Sequence, residues 1–220
     1  MNATGTISAI IAKARADERA FLLENEGLEI LSELGFNIPR WRFISGAEEF
    51  KGPLLPGGRV VLKAVSADIQ HKSEHQAVQV IENSLEVISQ AIQNMRSRLS
   101  FFKLAGFLLC EFIEHKNALG HELLLGFRNT REFGPVVSFG AGGIYAEHLC
   151  SALKENRGVS AFVPKLFPEN TIAYALGELA IVPPITGQLR SQKSEIDKQT
   201  LLSTLQLLLS NAAALAALGA

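Results

Sequence analysis

The sequence predicts an α+β protein built as two α/β lobes, and three observations predict it. In the first half, strand-like runs rich in β-branched residues alternate with helical stripes, as where RVVLKAV at 59 to 65 and AVQVIE at 77 to 82 precede a helical pattern. Three more strand-like runs follow, GFLLCEF at 106 to 112, HELLLGF at 121 to 127 and PVVSFG at 135 to 140. From Pro168 the chain turns mainly helical. A length of 220 residues suffices for one large domain or two small lobes around a shared cleft.

In chain order, residues 1 to 20 read as a lead-in, helical or mobile, with Lys13, Arg15, Asp17, Glu18 and Arg19 where a signal peptide would be apolar. Leu23, Gly27, Ile30, Leu31 and Leu34 then share one helical face, which Gly35 closes as a C′ glycine with Pro39 shortly beyond. RWRFI at 40 to 44 suggests a short strand, and KGPLLPGG at 51 to 58 a turn-rich loop. The two strands of 59 to 65 and 77 to 82 flank a polar stretch, Ser66 to Gln76, too long for a tight hairpin turn. Asn83 with Glu86 resembles a capping box opening a helix whose stripe is Val87, Ile88, Ala91, Ile92, Met95 and Leu99. Gly140, Gly142 and Gly143 follow the third late strand, and Pro183 and Pro184 are expected to break the helical C-terminal part. From Gln199 to Ala220 there is no charge; Leu201, Leu205, Leu208, Ala212 and Leu215 recur at helical spacing, and polar residues interrupt the run, which favours a helix packed on the domain over a membrane span.

A net charge of −1 leaves no broad basic face, which argues against sequence-independent nucleic-acid binding. Cys110 and Cys150 sit in apolar runs without metal spacing, so both are expected as buried small hydrophobes in a reduced, cytoplasmic setting. Walker A, G-x-G-x-x-G and G-x-S-x-G patterns and zinc spacings are absent, and nothing in spacing supports a nominal triad of Asp17, His121 and Ser138.

Four constellations carry chemistry. Lys63 stands inside a β-branched strand beside Val61 and Val65; on a cleft-lining face its ammonium would suit phosphate oxygens, and otherwise it lies on a solvated sheet face. The stretch Ser66 to Glu74 concentrates His71, Lys72, serine hydroxyls and two carboxylates; a neutral imidazole is a nucleophile toward phosphorus, and Lys72 could neutralise phosphoryl charge. Gly140, Gly142 and Gly143 could bring backbone N–H groups to an anion, or form a plain strand-to-helix turn. Glu122 and Arg128 fall on one strand face with Gly126 between them, suited to ribose hydroxyls and phosphate or to an ion pair.

Taken together, ENEGLEILSELGFNIP, VVLKAVSADIQHKSE, HELLLGFRNTREFGPVVSFGAGGIYAE and PENTIAYALGELAIVPPITGQLR resemble the ATP-grasp part of the ADP-forming acyl-CoA synthetases, the family of acetate-CoA ligases and succinyl-CoA synthetase. The resemblance covers most of residues 21 to 215, and its second and third segments are the specific ones. It implies an ATP-grasp fold with the nucleotide cleft between the sheets of the two lobes, residues 21 to 105 forming the first lobe and 106 to 220 the second. It implies ATP or ADP with Mg²⁺ as ligands, Lys63 on the nucleotide phosphates, and Glu111, Phe112 and Ile113 at the adenine-side hinge. Glu122 would face the ribose, and His71 would be the phosphohistidine on a loop that swings between sites. The implied overall reaction is acyl-CoA + ADP + phosphate ⇌ acid + CoA + ATP. CoA and the acyl phosphate would be handled by CoA-binding and ligase domains or another subunit; no nucleic acid or membrane partner is implied, and homo-oligomerisation is left open.

Three departures accompany the resemblance. His75-Gln76-Ala77 stands where the family has a Gly-Gly pair after the acidic loop residue, and Thr130-Arg131 stands where it has Asp-Pro. The chain also ends before the family's metal-ligand strand, which reads as a piece cut from a longer protein; Glu147 is the one candidate metal ligand in the chain. The rival readings are a non-catalytic regulatory module that kept the fold, and the synthetase-like domain of a protein lysine acetyltransferase.

Overall fold

The computed structural model describes residues 3–45, 50–69, 72–115, 121–143, 145–153, 157–166, 168–190 and 193–219. The chain divides into two compact units, Met1–Glu114 and His115–Ala220. The division falls beyond the boundary expected at 105/106, for a reason that lies in strand pairing.

The first unit opens with α1 (Ala3–Ala16), whose Ile7, Ile10, Ile11 and Ala14 recur at helical spacing and are buried. It contacts α2 (Glu24–Glu33), so the lead-in of the sequence reading is a helix that belongs to this unit. α2 ends as its sequence predicts: Gly35 takes φ 90°, its N–H donates to Ser32 O, and the Phe36 N–H donates to Leu31 O, which together form a Schellman motif. At its start Leu23 offers no side-chain acceptor, and the Glu26 carboxylate caps from within the helix by accepting the Leu23 N–H at 2.8 Å.

β1 (Trp41–Ser45), β2 (Arg59–Ser66), β3 (Val78–Glu82) and β4 (Leu104–Glu111) form an antiparallel sheet in the order β1-β4-β2-β3, with α3 (Leu85–Arg98) between β3 and β4 in sequence. β4 is the strand that moves the boundary. It pairs with β1 and β2, so GFLLCEF belongs to the first sheet rather than opening the second. β2 is two-sided. Val60, Leu62 and Ala64 are fully buried in a core shared with Ile88, Ala91, Ile92 and Met95 of α3, while Val61 and Val65 on the other face pack with Leu108, Cys110, Leu23 and Leu28. Gly106 permits this sheet, because a Cβ there would come within 2.3 Å of Ile44 O on β1.

The expected Asn83–Glu86 capping box is not what starts α3. Ser84 is the N-cap, its Oγ accepting the Val87 N–H at 3.3 Å, while Asn83 donates to Leu55 O and Gly57 O and so fastens the preceding loop.

In the second unit β5 (Leu123–Thr130), β6 (Gly134–Ala141) and β7 (Val159–Phe162) form an antiparallel sheet in that order, with α4 (Tyr145–Ala152) between β6 and β7. α5 (Glu169–Glu178), α6 (Val182–Ile185) and α7 (Lys198–Leu218) follow. Pro183 and Pro184 begin the short α6 instead of breaking a helix, since a first-turn proline forfeits no intrahelical bond. α7 lies on β6 and β5, with Leu201, Leu205, Leu208, Ala212 and Leu215 all buried. It is the one helix among the described residues long and apolar enough to cross a membrane, and the expected stripe is the one that faces inward. Cys110 is buried as expected, but Cys150 on α4 is exposed.

Candidate functional site

Lys63 sits midway along β2, opposite Val78 of β3 and Leu108 of β4, on the face away from α3. Its ammonium pairs with Glu24 Oε1, and the ammonium of Lys72 pairs with Glu24 Oε2. The three side chains are only 27%, 23% and 27% exposed for Lys63, Lys72 and Glu24, so one half-buried carboxylate is shared by two half-buried ammoniums. Glu24 stands in the first turn of α2, where the helix dipole favours a negative charge. Burial alone would push its carboxyl up, but the hydrogen bonds and charges of Lys63 and Lys72 outweigh burial and hold it below the usual range. On the same sheet face burial pushes the Cys110 thiol up, which keeps it protonated and unreactive.

Beside this trio an open pocket of about 470 Å³ is walled by Phe21, Leu23, Val65 and Ile69, with Glu24 and Lys72 on its polar side. The polar stretch after β2 is tied down at both ends. On the leading side Ser66 Oγ donates to Lys103 O at 2.8 Å, Asp68 accepts the Lys103 N–H at 3.0 Å, and Ile69 is buried in the core. On the trailing side the Ala77 N–H donates to Lys72 O at 2.7 Å, Arg98 donates to Gln76 O at 2.6 Å, and the His75 ring meets Phe102 edge-on at 5.0 Å. Gln76 holds φ 50°, a left-handed conformation, at the place where the family pattern has glycines, so the turn is kept without them. His71 lies outside the described residues; Lys72, its neighbour, reaches Glu24.

Glu111, Phe112 and Ile113 lie at the end of β4, just before the division between the units. The Glu111 carboxylate accepts the Arg40 N–H at 3.1 Å, and the Arg59 guanidinium stacks 4.3 Å over the Phe112 ring while holding Glu114 at 3.1 Å. Ile113 is exposed.

In the second unit Glu122 precedes β5 rather than standing in it. Its carboxylate lies against Gly143, where an added Cβ would fall 1.9 Å from Oε2. Gly140 and Gly142 are explained by packing, because a Cβ on Gly140 would strike Gly158 O at 2.3 Å and one on Gly142 would strike Leu123 C at 2.8 Å. The Gly142 N–H is committed to Glu122 O at 2.9 Å. The turn thus sets one amide on Glu122 O and a carboxylate beside Gly143. At Gly126 an added Cβ would make an ordinary contact with Ser138 Cβ at 4.0 Å, and Arg128 is exposed further along that strand. Thr130, where the family pattern has Asp, closes its own turn: Oγ1 accepts the Phe133 N–H at 3.1 Å and donates to Gly134 O at 3.0 Å. The side chain of Glu147 lies outside those described, and among the described residues no group of three or more His, Cys, Asp or Glu is placed to hold a metal ion. Asp17, of the nominal triad, is taken by Arg19 at 3.3 Å.

Sequence reasoning missed Glu24. The signal was there: a lysine in a strand lined by apolar residues needs an anion, and an acidic residue opens the preceding helix.

Comparison with known proteins places these features in a family. The model of the ATP-grasp domain matches residues 13–215. An alignment of 147 residues, 64% of this chain and 60% of its relative, is 35% identical to the beta subunit of acetate–CoA ligase [ADP-forming] I of Pyrococcus furiosus. Over 145 residues the chain is 32% identical to the 4-hydroxybutyrate–CoA ligase [ADP-forming] of Nitrosopumilus maritimus, of which it spans 20%. Among solved structures, a complex of Ca. Korarchaeum cryptofilum ACD1 with coenzyme A superimposes with a TM-score of 0.72 at 25% identity, covering 94% of this chain and 86% of that one. A second structure from that organism, a dinucleotide-forming acetyl-coenzyme A synthetase with coenzyme A and Mg-AMPPCP, matches with a TM-score of 0.67 at 25% identity over 94% and 85% of the two chains. Its phosphohistidine segment is described as pointing towards the nucleotide binding site. With a family model spanning nearly the whole sequence and two antiparallel sheets in separate units, the chain belongs to the ATP-grasp domain family.

Proposed function

We propose that this chain is the nucleotide-binding, phosphoryl-transferring part of an ADP-forming acyl-CoA synthetase, with His71 carrying the phosphoryl group. The observation that supports the reading most is the convergence of Lys63 and Lys72 on Glu24 at the foot of the stretch that contains His71, beside an open pocket. Two ammoniums on one half-buried carboxylate leave a local excess of positive charge, which suits polyphosphate oxygens. In the ATP-consuming direction an unprotonated ring nitrogen of His71 bonds to the γ-phosphorus. The bond to the bridging oxygen breaks as that oxygen leaves on ADP. The reverse step makes ATP. Lys63 positions the phosphates and Lys72 offsets the charge on the moving phosphoryl group, since this chemistry needs position and charge neutralisation above all. A Mg²⁺ arriving with the nucleotide would supply further neutralisation; among the described residues no group of three or more His, Cys, Asp or Glu is placed to hold it. Glu111, Phe112 and Ile113 are the proposed adenine side and Glu122 the ribose side. CoA and the acyl group fall to other domains or another subunit, consistent with a relative that is itself named a beta subunit.

The test is thermal unfolding of the full-length protein with and without ADP and Mg²⁺. With ADP about a hundredfold above its Kd, the domain should gain about 2.7 kcal/mol and melt several degrees higher. An unchanged melting temperature up to millimolar ADP would favour the non-catalytic module instead.

A further inference from the structure

We propose that Glu24 is a latch: its carboxylate holds the Lys72 end of the loop on α2 until a nucleotide phosphate draws Lys63 and Lys72 away from it. The proposal rests on the reading that this site handles nucleotide phosphates.

Four observations carry it. The carboxylate is fully subscribed, one oxygen to Lys63 on the sheet and the other to Lys72 on the loop, so sheet, loop and helix are joined through a single residue. The post that bears the latch is fixed, because Glu26 in the same first helical turn is held by two 2.7 Å bonds from Arg19 and accepts the Leu23 N–H. The trailing loop segment is also tied to α3 and the residues just after it, through Arg98 to Gln76 O and His75 to Phe102, whereas Lys72 ties it to Glu24 on α2. Finally, Glu24 and Lys72 line an open pocket, which gives a phosphate a way in. A polyphosphate carries more charge and more acceptor oxygens than one carboxylate, and it competes for both ammoniums at once. Binding would therefore change the lysines' partner and detach the loop from α2 in the same event, a coupling of the kind in which a ligand acts only through its differential contacts with two states.

Hydrogen exchange on the full-length protein, wild type against Glu24→Gln, with and without ADP, tests it, and calorimetry on the same samples measures ADP binding. In the absence of ADP the peptide spanning Lys72 to Ala77 should exchange about tenfold faster in Glu24→Gln, as expected for losing a charge-assisted anchor. With ADP bound, wild type and Glu24→Gln should exchange alike, because phosphate has replaced Glu24 as the partner of Lys72 in both. Lys72→Gln should reproduce the release with α2 untouched, and it decides the matter if Glu24→Gln also loosens α2. Equal loop exchange in wild type, Glu24→Gln and Lys72→Gln overturns the latch. So does a difference between wild type and Glu24→Gln that persists with ADP bound to both. ADP that fails to bind the wild type overturns the nucleotide reading itself, a separate result seen in the calorimetry.

Discussion

Replacing Lys63 by methionine should slow transfer of the γ-phosphoryl group from ATP to the protein by about 100-fold. Methionine keeps the length of the side chain and its fit beside Val61 and Val65, so the sheet survives and the charge alone is removed. In the native chain Lys63 is fixed from both sides, its backbone in register with Val78 and Leu108 and its ammonium on Glu24. A positioned cation acting in a half-buried site contributes far more than one in bulk water, because little reorganisation remains when the phosphate arrives. The variant also leaves Glu24 to Lys72 alone, which tightens the hold on the loop. Single-turnover quench measurements read the rate; a value within twofold of wild type would show Lys63 to be a structural member of the sheet.

The second large effect is on stability. Arg19 and Glu26 form a pair with side chains only 9% and 6% exposed, joined by two 2.7 Å bonds, and the partnership holds the Arg19 guanidinium above its ordinary pKa through the hydrogen bonds and charge of Glu26. Replacing Glu26 by alanine strands that guanidinium with the exposed Asp17 and the Phe21 carbonyl, and leaves the Leu23 N–H without its cap. A broken buried pair costs about 3 kcal/mol, and the lost cap adds to it. Urea unfolding followed by circular dichroism should show this loss. The double variant Arg19→Met/Glu26→Leu should recover much of it, because removing both charges removes the stranded one. Should the single variant lie within 0.5 kcal/mol of wild type (about the spread of neutral surface substitutions), the pair is no more than a surface contact.

Much of the fold was legible because the local signals had little competition. Gly35 ends α2 where a C′ glycine was expected, and the stripe of α7 is the stripe the leucine spacing named. Strand partnership was not legible. GFLLCEF reads the same whether it opens a second sheet or sits in the middle of the first, and only its pairing with β1 and β2 decides. Asn83 and Ser84 are both good cap residues; the nearby carbonyls of Leu55 and Gly57, which no sequence pattern reveals, claim the asparagine. β7 is four residues long, too short for alternation to register. Of the site, Lys63 was visible as a cation out of place in a strand and Lys72 as the neighbour of His71, while Glu24 was hidden among the many acids of an amphipathic helix. The packing demands at Gly140 and Gly142 were not legible either, since glycine that makes room for backbone and glycine that makes room for an anion look alike in sequence.

The central claim is that phosphate travels on His71. Incubating the full-length protein with γ-labelled ATP and Mg²⁺, then comparing wild type with His71→Ala, tests it most directly. The account predicts acid-labile, base-stable label on the wild type, discharged by added ADP, and none on the variant. Equal labelling of both proteins would contradict it.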